Sequence, residues 1–306
     1  MDNRPGHWKQ TEAIVRALAA FTAVNIRYRR VACDLRSDLR QWGSAVTAML
    51  KPSKKAVENP DIVIGTGSHT HATIIELGLG NDAKKIICMS PPTGLGVAFD
   101  LCFIAEHDRV PPRKNFFFTV GPPNLSKPSG RQDNRKGLIL VGGTDPKSHH
   151  WRSSEIAATI RGVIDRTPTV HWTLSTSPRT PPDMEQALLT GFQGHRVNVV
   201  PFSETPPHWI EEQYSTCKWV WVTADSMSMV YEALSAGCRV GLIPVAWKRS
   251  TSKFARAEQN LIGQGYATSY PKWLSDQTSP KRRRAINEAE RCATEILRRW
   301  WPERLP

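Results

Sequence analysis

The chain has 306 residues, of which 40% are hydrophobic and 23% are charged, and its formal net charge is +13. This length suggests two domains or one large one, and the apolar fraction excludes the disordered and fibrous classes. Apolar runs stay short of the roughly 18 residues that a membrane-spanning helix needs, and acidic residues near the N-terminus argue against a secretory signal. We therefore expect a soluble, cytoplasmic protein.

Short apolar strands alternate with helices in the first half of the chain. The pattern predicts a first helix whose buried face carries Ile14, Leu18 and Phe21, and a later helix over 72–79. The strand candidates, each closed by Pro, Gly or a charged residue, are 61–65, 86–89, 101–105 and 116–120. Residues 125–135 are rich in Ser, Pro, Gly, Lys and Arg, which is typical of a linker.

The alternation restarts after this linker. Its predicted strands are 138–141, 170–174, 196–200, 219–222 and 240–243, and its predicted helices are 153–165, 182–189, 207–215, 226–236 and 253–264. Such alternation indicates parallel sheets with right-handed crossovers. We predict an α/β fold of two Rossmann-like domains, 1–128 and 129–280, that face a cleft. In the remaining segment, 281–306, we expect an amphipathic helix over 285–301 that crosses back to the first domain.

The most informative unit is the strand, loop and helix between Trp219 and Gly237. Its helix carries an apolar stripe formed by Met227, Val230, Tyr231 and Leu234. Asp225 and Ser226 occupy the N-cap region, and a helix N-terminus at the end of a parallel strand can bind anions. Ser228 and Glu232 share a different face, where Glu232 is placed to bind ribose hydroxyls. A simple cap and a solvated helix face explain these residues equally well.

Two other loops at strand ends have similar chemistry. Gly142-Gly143-Thr144 follows the first strand of the second half, and glycine lets a phosphate approach the backbone closely. The motif is neither G-x-G-x-x-G nor a Walker loop, and a tight structural turn accounts for it as often. Ser177 and Arg179 follow the next strand, where a hydroxyl and a guanidinium suit an anionic group. A proline-stiffened loop is the equal alternative.

Three polar segments of the first half are expected to meet at one edge of a sheet. Arg4-Pro5-Gly6-His7 precedes the first helix, and 65–69 follows the first strand. Glu106-His107-Asp108 follows the strand 101–105. A histidine or carboxylate at such an edge can act as a general base, although a single histidine is more often structural.

Basic charge is spread over both halves and includes two short runs, 27–30 and 281–284. One run alone is more often solvated surface, but together they favour anionic partners such as nucleotide phosphates, lipid headgroups or nucleic acid. The segment Arg298-Arg299-Trp300-Trp301 sets aromatic residues beside basic ones, which favours peripheral contact with an anionic membrane. Dispersed charge and the lack of a recognition motif argue against nucleic acid.

The six cysteines form no C-x-x-C pair; they are Cys33, Cys88, Cys102, Cys217, Cys238 and Cys292. Three of them lie in or beside apolar runs, so we expect buried, reduced thiols without a disulfide or metal role. The sequence also lacks G-x-S-x-G, H-E-x-x-H, EF-hand and zinc-spaced motifs. We therefore predict neither a metal nor a cofactor.

Several segments together resemble one known family. The residues that carry the resemblance are Arg4-Pro5-Gly6-His7 with Gln10, then 65–71, 99–108, 121–124, Gly142-Gly143, 176–181, and above all 222–229 with Glu232-Ala233. They resemble the family named for the plant mitochondrial-fission "elongated mitochondria" protein. Its bacterial members are described as glycosyltransferases of the GT-B fold, and some as nucleoside-diphosphate-sugar epimerases. The resemblance runs in patches over residues 2–270.

The resemblance implies a nucleotide-sugar donor in the C-terminal domain and an acceptor in the N-terminal domain. It implies that Ser226, Ser228 and Gly143 face the donor phosphates, and likeness to other GT-B enzymes implies that Glu232 holds the ribose. The donor site expected from loops and resemblance together comprises Gly142, Gly143, Thr144, Ser177, Arg179, Asp225, Ser226, Ser228 and Glu232. His7 matches a loop near the reacting sugar, and Asp108 is the competing base.

The predicted activity is a metal-independent, inverting transfer of a sugar from a nucleotide donor to a cell-envelope glycan or glycolipid, at the inner face of the cell membrane. A nucleotide-sugar epimerase and a non-catalytic, membrane-associated protein stay open as alternatives. The family normally has a strand before Arg4-Pro5-Gly6-His7, whereas this sequence begins at Met1. Either the sheet lacks an edge strand or the start is misplaced.

Overall fold

A computed structural model describes residues 4–32, 42–43, 46, 60–192, 194, 196–276 and 286–306. The chain divides into two compact units, Met1–Leu125 with Asn287–Pro306, and Ser126–Ile286. Each unit contains a parallel sheet flanked by helices, which confirms the predicted α/β class. The helices in the described parts of the chain lack the combination of length and apolar character that crossing a bilayer requires.

The strands in chain order are β1 (Ile62–Gly65), β2 (Lys84–Ile87), β3 (Leu101–Ala105), β4 (Phe116–Thr119), β5 (Asp133–Leu140), β6 (His149–His150), β7 (His171–Ser175), β8 (Val197–Val200), β9 (Cys217–Thr223), β10 (Arg239–Ile243), β11 (Ala246–Trp247) and β12 (Ala267–Ser269). The α-helices are α1 (Pro5–Phe21), α2 (His71–Asn81), α3 (Ser153–Asp165), α4 (Pro182–Gly191), α5 (Trp209–Thr216), α6 (Met227–Ser235), α7 (Lys253–Gly263), α8 (Tyr270–Asp276) and α9 (Glu288–Trp300).

The first unit has a parallel sheet in the order β1-β2-β3-β4. Successive side chains of a strand point to opposite faces, and the strands are apolar on both. Leu101 and Phe103 pack in the core formed with α1 and α9, whereas Cys102 and Ile104 pack in the core formed with α2. The C-terminal helix therefore completes one face of this sheet.

Helix α1 begins earlier than the sequence indicates. We placed Arg4-Pro5-Gly6-His7 in a loop before the helix, and this is wrong, because the helix starts at Pro5 and takes His7 into its first turn. Proline suits the first helical position, since its fixed φ fits a helix and its missing N–H would have no intrahelical acceptor. The predicted buried face is confirmed for Ile14 and Leu18, and Phe21 is half-buried.

The second unit has a six-stranded parallel sheet in the order β12-β10-β9-β5-β7-β8. Counted from the first strand of this sheet, the order is 3-2-1-4-5-6, which is the order of dinucleotide-binding sheets. From β5 the chain adds β7 and then β8 toward one side of the sheet. It then returns to the other side of β5 and adds β9, β10 and β12 in the opposite direction. The direction of winding therefore reverses between β5 and β9.

Strand β5 starts inside the predicted linker. The segment 125–135 was expected to be a linker throughout, but its last residues belong to β5, which begins at Asp133. The polar half of the strand is exposed, so no alternation of apolar residues marks it. The register also shifts between Asp133 and Gly137, where the strand pairs with β9.

The sequence did not predict α8, β12 or the antiparallel pair β6–β11.

The predicted helix after β9 is confirmed, and so is its buried stripe. Met227, Val230, Tyr231 and Leu234 of α6 are all buried. The expectation of buried, free thiols is confirmed for Cys88, Cys102, Cys217, Cys238 and Cys292. Cys33 and the basic run 281–284 lie outside the described residues.

Candidate functional site

The candidate site lies where the second sheet reverses its winding. Strands β5 and β9 pair directly, with Leu140 opposite Val222, and β5 pairs on its other side with β7, with Leu140 opposite Ser175. The loops that leave the carboxyl ends of these three strands must therefore lie side by side. In open α/β sheets this is the position at which ligands bind.

A buried carboxylate joins these loops. Asp225, after β9, has a side chain that is 1% exposed, and its Oδ2 accepts hydrogen bonds from the Gly143 amide (3.0 Å) and from Arg179 Nη2 (2.9 Å). The Ser226 hydroxyl is 3.2 Å from the same oxygen. Burial of a carboxylate is costly unless a cation and hydrogen-bond donors surround it, and Asp225 has both. Its Oδ1 has no hydrogen-bond partner among the described residues.

The glycine pair of the β5 loop allows close packing with the neighbouring loops. A Cβ at Gly142 would lie 2.2 Å from Asp225 Oδ2, and a Cβ at Gly143 would lie 1.9 Å from the Arg179 carbonyl oxygen. The Gly142 amide donates to Thr223 Oγ1 at 2.7 Å, and the Thr144 amide donates to the Arg179 carbonyl at 3.1 Å. The amides of this loop thus bind groups of the protein itself, as in the structural turn that we weighed against a phosphate loop.

The loop after β7 carries Arg179, which is the one cationic residue of the predicted donor set. Arg179 is 45% exposed at its side chain, although its guanidinium is bound to Asp225. Ser177 is buried within the loop, where its hydroxyl accepts from the Arg179 amide at 3.2 Å. The Thr180 hydroxyl contacts the Val141 carbonyl at 3.0 Å. Ser177 therefore shapes the loop, whereas Arg179 has guanidinium surface that reaches solvent.

Helix α6 opens beside Arg179. Ser226 occupies the N-cap position, but its side chain accepts no hydrogen bond from the first turn; its hydroxyl is instead 3.3 Å from Arg179 Nη2. The first amides of a helix have no intrahelical acceptor, and they carry partial positive charge. Ser228 is exposed in this first turn, and Glu232 is partly exposed one turn later. The geometry joins a guanidinium, a hydroxyl and helix amides at one edge.

Sequence reasoning missed His149, which supports the glycine loop. This buried side chain lies with Nε2 3.1 Å from the Gly143 carbonyl oxygen and Nδ1 2.7 Å from Ser148 Oγ. It packs edge-on to Trp247 at 5.8 Å. A cavity of about 250 Å³ adjoins it, lined by Thr144, Asp145, Pro146, His149, His150, Trp151 and Lys248. The polar run after Gly143 was the available signal, but it did not show which side chain turns inward.

The residues that we predicted as bases lie in the first unit. Asp108 follows β3, and its Oδ2 accepts a hydrogen bond from the Ser90 hydroxyl at 2.6 Å, while its side chain is 15% exposed. His7 lies one turn before Thr11 on α1, and Thr11 Oγ1 is 2.9 Å from Thr66 Oγ1, just after β1. The segments that follow β2 and β3 thus meet through Ser90 and Asp108, and Thr66, just after β1, contacts α1. The expected meeting of Arg4-Pro5-Gly6-His7 with 106–108 stays a prediction.

Burial and hydrogen bonding shift the pKa of His71 and of Asp145. Burial lowers the pKa of His71 to about 4, so its imidazole is neutral at pH 7. Hydrogen bonding from the Lys147 amide lowers the pKa of Asp145, whose side chain remains ionised beside the cavity. Within the described ranges, no three His, Cys, Asp or Glu side chains lie in an arrangement that could hold a metal ion.

Solved structures of similar fold include a UDP-GlcNAc 2-epimerase and a protein in complex with UDP. UDP-GlcNAc 2-epimerase from Methanocaldococcus jannaschii matches with a TM-score of 0.59 and 11% identity over 97% of both chains. The same enzyme in complex with UDP-GlcNAc and UDP matches with a TM-score of 0.53 and 9% identity over 97% of both chains. The S. aureus MnaA–UDP structure matches with a TM-score of 0.51 and 14% identity, covering 100% of this chain and 96% of that one.

These similarities show that the chain shares the GT-B fold of those enzymes. A sequence comparison with curated proteins finds no match. The family comparison confirms the resemblance that the motifs indicate, because the model of the family "Mitochondrial fission ELM1" matches residues 5–300. The chain therefore belongs to the mitochondrial fission ELM1 family.

Proposed function

We propose that this protein is a glycosyltransferase that moves a sugar from a nucleotide-sugar donor to a hydroxyl of a cell-envelope glycan or glycolipid. The observation that carries the proposal is the position of Arg179. Its guanidinium is half-exposed, is held by a buried carboxylate, and lies at the reversal point of the sheet beside the N-terminus of α6. A diphosphate is the ligand that this combination favours.

The donor diphosphate binds to Arg179 and to the first turn of α6. A guanidinium carries five N–H donors, so pairing with Asp225 leaves others for phosphate oxygens. Ser228 is exposed in the same turn, where its hydroxyl donates to a phosphate oxygen. Glu232, one turn further along, accepts hydrogen bonds from the ribose hydroxyls. Two solved structures of similar fold support this choice of ligand, since one is a complex with UDP and the other a complex with UDP-GlcNAc and UDP.

The transfer proceeds by attack of an acceptor oxygen on the anomeric carbon. The bond between this carbon and the diphosphate oxygen breaks, and negative charge develops on the leaving diphosphate. Arg179 and the α6 N-terminus stabilise that charge. A general base takes the proton of the acceptor hydroxyl, and Asp108 and His7 are the candidates. Single displacement of this kind inverts the anomeric centre.

Donor affinity tests the proposal directly. Calorimetry with UDP-sugars should give about 100-fold weaker binding for Arg179→Ala and about 10-fold weaker binding for Ser228→Ala and Glu232→Ala. Arg166→Ala is the matched control, since Arg166 is exposed and follows the last residue of α3, away from the carboxyl ends of the strands. Affinity equal to that of the unmodified protein in all three site variants would refute the donor site.

A nucleotide-sugar epimerase is the second candidate, favoured by the fold shared with UDP-GlcNAc 2-epimerases. The two functions differ in the need for an acceptor. NMR of a UDP-sugar with the protein alone would show a second sugar epimer if the protein is an epimerase, and an unchanged sugar if it is a transferase. A thermal-shift screen that finds no stabilisation by UDP-, GDP-, CMP- or ADP-sugars would favour the non-catalytic alternative.

A further inference from the structure

An exposed, basic and apolar segment follows α1. Residues 23–30 are all exposed and contain no acidic residue. Three large apolar side chains are among them: Val24 (39% exposed), Ile26 (38%) and Tyr28 (56%). Three arginines alternate with or follow them, at positions 27, 29 and 30. Contiguous exposed apolar groups on a protein surface indicate an interaction site.

Contacts with α1 and with the C-terminus fix the position of this segment. The Tyr28 hydroxyl donates to Glu12 Oε2 of α1 at 2.9 Å. At the start of the segment, Thr22 Oγ1 accepts from Arg304 Nη1 at 3.4 Å. Trp300 and Trp301, both half-buried, pack in the same core cluster as Phe21. Residues 22–30 and 298–306, far apart in sequence, therefore form one surface, which we call the basic–aromatic patch.

We propose that the basic–aromatic patch docks the protein on an anionic lipid bilayer. Its arginines bind lipid phosphates, and Val24 and Ile26 enter the interface between headgroups and acyl chains. Trp300 and Trp301 are half-buried beside these residues, and tryptophan side chains favour the headgroup level of a bilayer. Glu303, an exposed acid in the patch, lies 3.7 Å from Arg304 and offsets little of the positive charge. This proposal does not depend on the donor site, which lies in the other unit.

The apolar side chains favour a membrane over nucleic acid. Binding of a nucleic-acid backbone uses basic residues with aromatic stacking and gives aliphatic side chains no role. Each basic residue near an anionic bilayer strengthens partition roughly fivefold, and buried aliphatic groups add to this. The two classes of partner therefore respond differently to removal of Val24 and Ile26.

Sedimentation with sucrose-loaded vesicles tests the proposal on the full chain. The protein should bind vesicles with about 30 mol% phosphatidylglycerol and not pure phosphatidylcholine, and the binding should weaken as salt rises above about 0.1 M. Replacing Arg27, Arg29 and Arg30 by Glu should weaken partition more than about 100-fold, and Val24→Ser with Ile26→Ser about 10-fold. All of these positions are exposed, so melting temperatures should stay within about 2 °C.

The control replaces Arg166, Arg249 and Lys272 by Glu, which changes the net charge by the same amount at exposed positions of the other unit. Equal loss of binding in this control would show that net charge alone attracts the vesicles, and would overturn the proposal. So would absence of vesicle binding by the unmodified protein. Unchanged vesicle binding after Val24→Ser with Ile26→Ser, together with DNA binding that depends on the three arginines, would assign the patch to nucleic acid. UDP-sugar affinity should be unaffected in every patch variant, which separates this test from that of the donor site.

Discussion

The packing of Asp225 against Gly142 makes a prediction about two mutations that compensate each other. An added Cβ at Gly142 would lie 2.2 Å from Asp225 Oδ2, 2.5 Å from Oδ1 and 2.3 Å from Ser226 Oγ. Normal contact needs about 3.4 Å, so Gly142→Ala must displace the carboxylate by about 1 Å. This displacement breaks or stretches the bonds from Gly143 (3.0 Å) and Arg179 (2.9 Å).

The loss in the free energy of unfolding can be estimated from those two hydrogen bonds. Hydrogen bonds to charged groups contribute about 1.5–3 kcal/mol each, and the bond from the buried Gly143 amide counts fully. The bond from Arg179 counts little, because its half-exposed guanidinium is rehydrated when the pair separates. Gly142→Ala should therefore destabilise by about 3 kcal/mol, and Asp225→Ala by about 2–3 kcal/mol. In the double variant the Cβ no longer meets a carboxylate, and the remaining overlap is with the Ser226 hydroxyl, which can rotate away. We therefore expect the double variant to lose about 3 kcal/mol in total rather than the sum of the two single losses.

Urea denaturation of the two single variants and the double variant measures this coupling, which should be about 2 kcal/mol. Gly143→Ala is the control, because its Cβ would meet backbone atoms, the Arg179 carbonyl oxygen at 1.9 Å and the Thr180 nitrogen at 2.5 Å. Removing the Asp225 side chain cannot relieve that overlap. Additive losses for Gly142→Ala with Asp225→Ala would refute the packing described here.

Three further outcomes are expected. Gly137→Ala should destabilise by about 2 kcal/mol in urea denaturation, because its Cβ would lie 2.3 Å from the buried Trp172 ring. Burial raises the pKa of Glu258 above its ordinary 4.5, so the ionised carboxylate destabilises the folded protein at pH 7 and does so less as the pH falls. Glu258→Gln can still accept the hydrogen bond from Trp247. This variant should raise the melting temperature at pH 7 and lose that advantage near pH 4.5. Iodoacetamide at pH 8 followed by mass spectrometry should leave the five buried thiols of the folded protein unmodified, because burial raises their pKa to about 12 (Cys88, Cys102 and Cys238), to about 11 (Cys217) or well above the usual value (Cys292).

The sequence predicts elements well where burial leaves a pattern in it. The stripe of α6 is visible because one buried face repeats with the helix, and β3 and β9 are visible because burial on both faces makes their apolar runs continuous. The exposed start of β5 has no such pattern, since Asp133 to Lys136 gain their strand conformation from pairing with a neighbour and not from a core. The N-terminus of α1 was missed for a related reason, because Pro5 and Gly6 read as loop residues outside their helical context.

The candidate site was predictable in its location and not in its internal bonding. Parallel strands bring their carboxyl ends to one edge, so polar residues after β5, β7 and β9 had to meet. Which of them face solvent depends on how the loops pack, and the sequence carries no sign of that. Asp225, Ser177 and Arg179 were therefore all predicted to bind the donor, whereas the structure buries Asp225 and Ser177 and leaves Arg179 half-exposed.

This division of roles has a physical advantage for binding a diphosphate. A free arginine side chain loses about 2 kcal/mol of conformational entropy when it is immobilised on a ligand. Asp225 holds the Arg179 guanidinium in place before any ligand arrives, so part of that loss belongs to folding and not to binding. Its negative charge also weakens attraction for phosphate, but it is 1% exposed and lies behind the guanidinium, among donors that already neutralise it. In the proposed donor site, Asp225 therefore acts by positioning Arg179, and Arg179 and the first turn of α6 are the groups that would contact the diphosphate.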